Sequence, residues 1–408
     1  MGQSIAVGQS KGGRTAFAVL WAISLCHFFN DTMQTLLPAI YPLLRSELSL
    51  SFVQLGLITL VFQATGSFLQ PLIGRFTDQR PQPYSLPVGM TFTMAGILVL
   101  ASAQRYGLLL VGAALIGIGS SVFHPESSRL ARVASGGRFG LAQSVFQVGG
   151  NLGQSLAPLM VAFFVMPRGR GSLAWAGFLA LVGICVLALL GRWYKASGEA
   201  RPRTRQALHT PGPLGKEAAD RALAVLIALI FSKFFYLSSI TNYYIFYLMQ
   251  RFGLTAQVSQ VCLFAFLASV AVGTLIGGPL GDRIGRKSVI WASILGVLPF
   301  TLALPYSGLS ATIVLSVVIG LILSSAFSSI VVYGTELMPG RVGTISGLFF
   351  GLAFGIAGLG AALLGALADW TSITFVYHVC AFLPAIGMLA FFLPDIGQDG
   401  QLRGRARA

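Results

Sequence analysis

Four polar residues share one face of the first apolar stretch of the chain. His27, Asn30, Asp31 and Gln34 stand at positions i, i+3, i+4 and i+7, which lie on the same side of an α-helix. Asp31 is about 14 residues into this stretch, or roughly 21 Å at 1.5 Å per residue. A carboxylate placed so deep in an apolar helix is a candidate to exchange a proton or to handle a substrate. The alternative is an Asp31 that pairs with His27 only for helix packing.

A second ionisable cluster ends the fourth apolar stretch and consists of His124, Glu126 and Arg129. Pro125 has no N–H and frees the carbonyl of Ser121, so we expect the helix to kink there. Glu126 and Arg129 are three residues apart and can form an ion pair. The cluster suits a proton relay or a gate. An ion pair of no special function at the membrane surface is an equal alternative.

Amide side chains form a stripe on the fifth apolar stretch. They are spaced by four, four and three residues: Gln143, Gln147, Asn151 and Gln154. Unpaired amides are costly in hydrocarbon, so we expect this face to line a wet cavity or to bond across helices. Gln63, in the second stretch, is expected to face the same cavity. We take Gln34, Gln63, Gln147 and Asn151 as candidate substrate-binding residues.

A single cation, Lys233, lies about 12 residues into the seventh apolar stretch. Polar ring and amide groups follow it: Tyr236, Asn242 and Tyr243. A buried ammonium ringed by phenols would bind an anionic substrate or pair with an acid of the other half. A lysine that extends to the membrane surface is the alternative. These four residues complete the candidate substrate site.

The elements that must position these side chains are membrane helices. Apolar residues make up 55% of the chain and charged residues 10%, whereas soluble domains have about 25% charged residues. Runs of about 20 apolar residues, each sufficient to cross a bilayer, recur along the sequence. We predict an all-α membrane protein with twelve transmembrane helices, at 17–43, 54–76, 85–103, 107–130, 139–165, 172–194, 222–249, 258–280, 288–306, 310–336, 342–367 and 372–393.

The net charge of +15 is explained by the membrane rather than by nucleic acid. With both termini on one side of these spans, 21 of the 27 Lys and Arg residues fall on that side and five on the other. The positive-inside rule then places both termini in the cytoplasm. The first 16 or so residues are polar, which predicts a short cytoplasmic tail and not a cleaved signal peptide.

The chain divides into two halves. Residues 196–221 are rich in Pro, Gly and Arg and cannot bury a core, so they are predicted to form a cytoplasmic linker between six-helix halves at 1–195 and 222–408.

The four cysteines each lie in a separate apolar stretch. They predict no disulfide or metal framework, and we expect no metal and no cofactor.

An internal duplication supports this division. The stretch 277–287 reads GGPLGDRIGRK, and its Asp282 follows Asp78, in a degraded copy of the stretch, by 204 residues. A second pair of similar stretches, at 137–140 and 340–343, is offset by 203 residues. Duplicated sets of hydrophobic spans are typical of transporters.

The duplicated stretch resembles the G-x-x-x-D-[RK]-x-G-[RK]-[RK] motif of the major facilitator superfamily. The second copy matches every fixed position: Gly278, Asp282, Arg283, Gly285, Arg286 and Lys287. The first copy keeps Gly74 and Asp78 but has Pro81-Gln82-Pro83 where the motif has glycine and two basic residues, so a lock there would rely on Asp78 and Arg80. The resemblance implies two pseudo-symmetric halves and a motif that locks the outward-facing state. A plain basic loop is the alternative.

The same resemblance implies a function. The sequence Gly153-x-x-x-Ala157-Pro158 is similar to a motif of members that exchange drugs for protons, although Ala113 stands where many of them carry a coupling arginine. Residues 124–151, 230–240 and 247–254 resemble antibiotic exporters of bacterial inner membranes. A proton-coupled exporter of a small antibiotic, mostly monomeric in this family, is therefore expected.

Two other functions are open. Proton-coupled uptake of a small metabolite would use the same fold. A membrane enzyme or sensor is disfavoured, because the sequence has no paired Cys/His metal pattern, no Walker-type phosphate loop and no soluble sensory domain. We therefore expect a transporter and not an enzyme.

Overall fold

The computed structural model describes residues 15–79, 82–136, 139–197, 214–337 and 342–395. These residues form helices and contain no strand. We label the long segments α1 to α12 in chain order. Their bounds are Phe17–Ala39, Phe52–Gln79, Ser85–Ser102, Tyr106–Ala134, Phe139–Met160, Ala176–Ala196, Lys216–Phe252, Ala256–Ile284, Arg286–Ile294 with Leu298–Ala303, Leu309–Ser324 with Ala326–Leu337, Val342–Trp370, and Ile373–Cys380 with Leu383–Phe392.

Eleven of these segments are long and apolar enough to cross a membrane. The exception is α1, although its 23 residues suffice in length. Its polar face, with His27, Asn30, Asp31 and Gln34, lowers its mean hydropathy. These side chains are buried inside the bundle, so α1 avoids exposing them to lipid. The helix that is least apolar is therefore the one that carries the densest group of candidate site residues.

The seventh helix departs from the prediction. It begins at Lys216 and runs for 37 residues to Phe252, so the helix starts six residues before residue 222, where the sequence predicted this span to begin. Gly253 ends the helix with a left-handed φ of 68° and donates its N–H to the carbonyl of Met249, as glycine at this position commonly does. Residues 198–213 of the predicted linker lie outside the described residues.

The outer surface of the bundle is apolar. Large side chains such as Trp21, Phe68, Trp175 and Trp370 are exposed. An apolar surface of this extent marks contact with lipid. Inside, α1 packs along α5 within the first half, and the two halves meet where α2 packs along α11 and α5 along α8.

Hydrogen bonds join the two halves at one end of the bundle. The carboxylate of Asp369, on α11, accepts the backbone N–H of Phe52 (2.9 Å) and of Val53 (2.7 Å) at the start of α2. Thr59 on α2 donates to Asn242 on α7 (2.6 Å) and bonds Tyr41. At this end the two halves are therefore closed against each other.

Candidate functional site

Asp31 is the centre of a buried polar cluster. Its side chain is only 4% exposed, and its Oδ2 lies 3.3 Å from Nε2 of His27. Its Oδ1 lies 3.5 Å from Nε2 of His124 on α4. The structure thus brings together two histidines that are 97 residues apart in the sequence.

Amide donors complete the surroundings of the carboxylate. Gln154 on α5 donates to Oδ2 (2.8 Å), and Asn30 donates to Oδ1 (3.1 Å). Gln34 also donates to Oδ1 (3.5 Å), and Ser120 donates to the side-chain Oε1 of Gln34 (3.3 Å). Hydrogen bonds to an ionised carboxylate are stronger than neutral ones, which is how this fold tolerates a charge in its interior.

Backbone carbonyls fix the tautomers of both histidines. The Nδ1 atom of His27 lies 2.8 Å from the carbonyl oxygen of Phe146, on whose ring the imidazole also stacks. The Nδ1 atom of His124 lies 3.1 Å from the carbonyl oxygen of Ser120. A carbonyl only accepts hydrogen bonds, so each Nδ1 carries the proton. In the neutral rings each Nε2 is then an acceptor that faces Asp31, and the cluster attracts a cation.

Gly150 on α5 makes room for the cluster. A Cβ atom at this position would lie 2.8 Å from Oδ2 of Asp31 and closer still to the ring of His27. Any larger residue would push these side chains apart. The close approach of α5 to α1 therefore requires glycine here.

Glu126 and Arg129 take a different place from His124. Their ion pair (3.2 Å) is formed near the end of α4, where Glu126 is buried. Arg129 donates to the carbonyl of Thr77 (2.6 Å) and to its hydroxyl (3.0 Å), and Ser85 donates to Glu126 (3.4 Å). These contacts tie α4 to the end of α2 and the start of α3. The predicted relay is therefore divided, with His124 at Asp31 and the ion pair at the helix ends.

The amide side chains that were predicted to line the cavity lie in two different surroundings. Gln63 packs against α11. A Cβ atom added at Gly358 of that helix would lie 2.7 Å from the Cβ atom of Gln63. On α5, Gln147 and Asn151 are half-buried, and the buried Nδ2 of Asn151 has no hydrogen-bond partner among the described residues. Gln143 lies outside the described side chains. An unpartnered donor of this kind is available to a ligand or to water.

In the second half, Asn242 and Tyr243 serve as ties rather than open binding groups. Asn242 accepts from Thr59 and donates to the carbonyl of Ser238 (2.9 Å). The hydroxyl of Tyr243 donates to the carbonyl of Ala361. Both side chains are buried, so in this conformation their polar atoms are occupied by the protein itself.

Lys233 is enclosed within the second half. It is 2% exposed, which excludes the alternative of a lysine that reaches the membrane surface. Its Nζ lies 3.4 Å from the carbonyl of Ser324, and 5.5 and 5.3 Å from the ring centroids of Phe234 and Phe327. The rings beside the ammonium are thus phenylalanines, where the sequence predicted phenols. Tyr236 is buried on the same helix.

The duplicated motif is only partly described. Gly285 separates α8 from α9 with a left-handed φ of 92°, which explains the glycine of the motif. Arg283 is exposed and Arg286 is half-buried, and Lys287 donates to the carbonyl of Phe391 (3.2 Å). Five of the predicted lock residues lie outside the part of the structure that is described at side-chain level: Gly74, Asp78, Arg80, Gly278 and Asp282.

Three residues were not singled out by sequence reasoning: two that shape the site around Asp31 and one that joins the two halves. Gln154 was part of the amide stripe, but nothing in the spacing assigned it to Asp31. Gly150 follows another glycine between amides, a signal for close helix packing. Asp369 is an acid at the end of a long apolar run, and its role depends on the start of a helix more than 300 residues away.

The fold and the buried polar site define a class. The Major Facilitator Superfamily matches the chain over residues 23–358 and again over 234–407. The chain belongs to this family and is a multi-pass membrane transporter with twelve helices in two pseudo-symmetric halves.

Two bacterial proteins are similar to the chain over nearly its whole length. The chain is 58% identical to the fosmidomycin resistance protein of Escherichia coli K12 over 390 residues, or 96% of each chain. It is 42% identical over 395 residues to the MFS-type transporter YfnC of Bacillus subtilis, again over 96% of each.

Solved structures confirm the fold. A bacterial homologue of the human lysosomal transporter Spinster, in an inward-facing and occupied conformation, superposes with a TM-score of 0.68 at 15% identity, over 94% of this chain and 95% of that one. The transporter FucP in an outward conformation gives 0.65 at 16% identity, over 92% and 98%.

Proposed function

We propose that the protein exports a small antibiotic of the fosmidomycin type, a phosphonate, in exchange for protons. It would act as a monomer in the bacterial inner membrane, with both termini in the cytoplasm. The observation that carries the proton coupling is the buried cluster of Asp31, His27 and His124. The antibiotic is suggested by the 58% identity to the fosmidomycin resistance protein over nearly the whole chain.

The cluster provides a reason for proton exchange. Three acceptors converge in the interior of the first half, and a proton bound among them offsets the negative charge of Asp31. The ring of His124 also lies 5.5 Å from the ring of Phe354 on α11. A change of charge at His124 therefore acts at the contact between the halves. Protonation would bias which side of the transporter is open.

The substrate site is proposed between the halves. Gln34, Gln63, Gln147 and Asn151 supply amides from the first half, and Lys233 supplies the positive charge of the second. A phosphonate is an anion that an ammonium attracts. Because Lys233 is enclosed in this conformation, its role requires the helices around α7 to move when the substrate binds.

Transport in everted membrane vesicles tests the proposal. When the vesicle lumen is acidified, a proton-coupled exporter accumulates fosmidomycin inside. Asp31→Asn should reduce this uptake at least tenfold at unchanged expression, because an amide cannot carry the proton. Glu47→Gln is the matched control, since Glu47 forms a surface ion pair with Arg170 and its loss should change uptake less than twofold.

Two outcomes would contradict the proposal. Normal uptake by the Asp31→Asn protein would remove Asp31 from the mechanism. Accumulation of a substrate in right-side-out vesicles, driven by an acidic exterior, would establish proton-coupled uptake instead of export.

A further inference from the structure

We propose that His27, Asp31 and His124 form a binding site for a divalent transition-metal ion of the zinc type. Each residue contributes one ligand atom, and these atoms lie within 4.8 Å of one another. The sequence predicted no metal site, because the ligands come from two helices and show no short spacing. Only the packing of α1 against α4 brings them together.

The separations fit a shared ion. Ligands about 2.0–2.2 Å from a zinc ion, at angles between 90° and 110°, lie about 3.0–3.5 Å apart. Both contacts of Asp31 have this length, and each involves a different oxygen of the carboxylate: Oδ2 lies 3.3 Å from Nε2 of His27, and Oδ1 lies 3.5 Å from Nε2 of His124. With one ligand atom taken from each residue, no two of the three atoms are more than 4.8 Å apart, so they would draw together around a bound ion.

The histidines are oriented as metal ligands. Each gives its Nδ1–H to a backbone carbonyl, on Phe146 and on Ser120, which leaves Nε2 with a lone pair directed at the carboxylate. Metal-ligating histidines are held in this way. Nε2 of His27 is buried and has no hydrogen-bond partner among the described residues, although it lies beside an acceptor. Two lone pairs that face a carboxylate are stabilised by a cation between them.

The donor set selects the kind of ion. Two imidazoles and one carboxylate suit Zn²⁺ and its late first-row neighbours, whereas Mg²⁺ and Ca²⁺ prefer oxygen ligands alone. Cys26 precedes His27 but its thiol is directed at the carbonyl of Gly183, so it is not part of the set. Three protein ligands leave a fourth position for water.

The metal and the proton are alternative occupants, because both need the same lone pairs. The metal proposal does not depend on the cargo or on the direction of transport. It is tested by metal binding alone. If the protein does not bind the metal, the proposal of proton exchange is unaffected.

The experiment uses the full-length protein, purified with a histidine-free tag and stripped with a chelator. Zn²⁺ binding is measured by calorimetry, and Co²⁺ is used as a spectroscopic probe. We expect about one ion per chain and visible Co²⁺ absorption of a tetrahedral site. His27→Gln, Asp31→Asn and His124→Gln should each weaken Zn²⁺ binding at least tenfold. The matched control is His378→Gln on α12, whose Nδ1 lies near the carbonyl oxygen of Thr374; it should bind as the unchanged protein does.

Replacing one ligand by another type of ligand shows whether a variant binds metal weakly because it lacks the ligand or because it is misfolded. His27→Cys should still bind Co²⁺ and should add a thiolate-to-Co²⁺ charge-transfer band. The proposal is overturned if the unchanged protein shows no saturable Zn²⁺ binding, or if binding survives both Asp31→Asn and His27→Gln. Binding lost in His378→Gln would also overturn it.

Discussion

At the scale of single residues, the site depends on how one buried carboxylate is accommodated. Asp31 receives hydrogen bonds from amides on its own helix and on α5, and it faces two imidazoles. A charge in hydrocarbon without such partners would cost several kcal/mol. The site also responds to a cation, because the carboxylate is negatively charged and each neutral imidazole directs the lone pair of its Nε2 at it.

Gly150→Ala tests the packing around Asp31. The added methyl group would overlap the ring of His27 and Oδ2 of Asp31, so we expect a destabilisation of about 1–3 kcal/mol and at least a tenfold loss of transport. Thermal unfolding in detergent and vesicle uptake measure the two effects. Gly107→Ala is the control, because a Cβ there meets no atom within 4 Å. Equal behaviour of the two variants would refute the tight contact.

Lys233→Met tests the role of the buried ammonium. Methionine keeps the apolar stem that packs between Phe234 and Phe327 but removes the charge. We expect fosmidomycin transport to fall at least tenfold while a neutral substrate, if one is found, is affected less. Lys195→Met on the exposed end of α6 should have little effect. A normal Km and kcat for the phosphonate in Lys233→Met would exclude an anion-binding role.

At the scale of helices, the start of α2 is capped by a residue of the other half. Asp369 accepts two backbone N–H groups there, and a carboxylate is favourable at the positive end of a helix. The guanidinium of Arg45 lies 3.8 Å above the ring of Phe52 beside it. The cap therefore acts both on the stability of α2 and on the contact between α2 and α11.

Asp369→Asn should weaken this contact. The amide retains one acceptor oxygen but loses the charge, so we expect the closed end to be destabilised by about 1–2 kcal/mol. A lower melting temperature in detergent would show the loss. Asp395→Asn is the control, since Asp395 is exposed after α12. An Asp369→Asn protein as stable as this control would show that the cap contributes nothing.

At the scale of the whole molecule, transport by alternating access requires the seam between α2 and α11 to change. This seam extends from Asp369 to Ser67, which donates to the carbonyl of Gly351. The division into 1–195 and 222–408 stays a prediction, as does the cytoplasmic side of the termini. The proposed motion is a rotation of one half against the other that opens and closes this seam.

A disulfide across the seam tests this motion. A Cβ at Gly355 lies 3.9 Å from Cβ of Ser67, the separation of a disulfide. In a background without the native cysteines, Ser67→Cys with Gly355→Cys should abolish transport when oxidised and regain it when reduced. The control pair, Ser238→Cys with Gly360→Cys (3.4 Å between Cβ atoms), lies within the second half and should transport in both states. Transport by the oxidised seam pair would contradict a moving seam.

The sequence alone determined the membrane helices. Their apolar segments are long enough to cross the hydrocarbon core and carry too few charges to face water. It also determined that Asp31, His27 and Gln34 share one face of α1, since a helix fixes that relation locally. The glycine of the duplicated motif was predictable for the same local reason, and the family followed from its fixed residues.

Only the tertiary structure decided which of these residues meet. His124 joined Asp31 while Glu126, two residues further, joined Arg129 and Ser85 at the helix ends. Lys233 was enclosed by phenylalanines, and Asp369 reached the start of α2. Periodicity fixes the face on which a side chain lies, but the partner on that face depends on how far each helix is shifted and rotated against its neighbours. That arrangement is set by packing across the whole bundle, to which residues such as Gly150 contribute through their lack of a side chain.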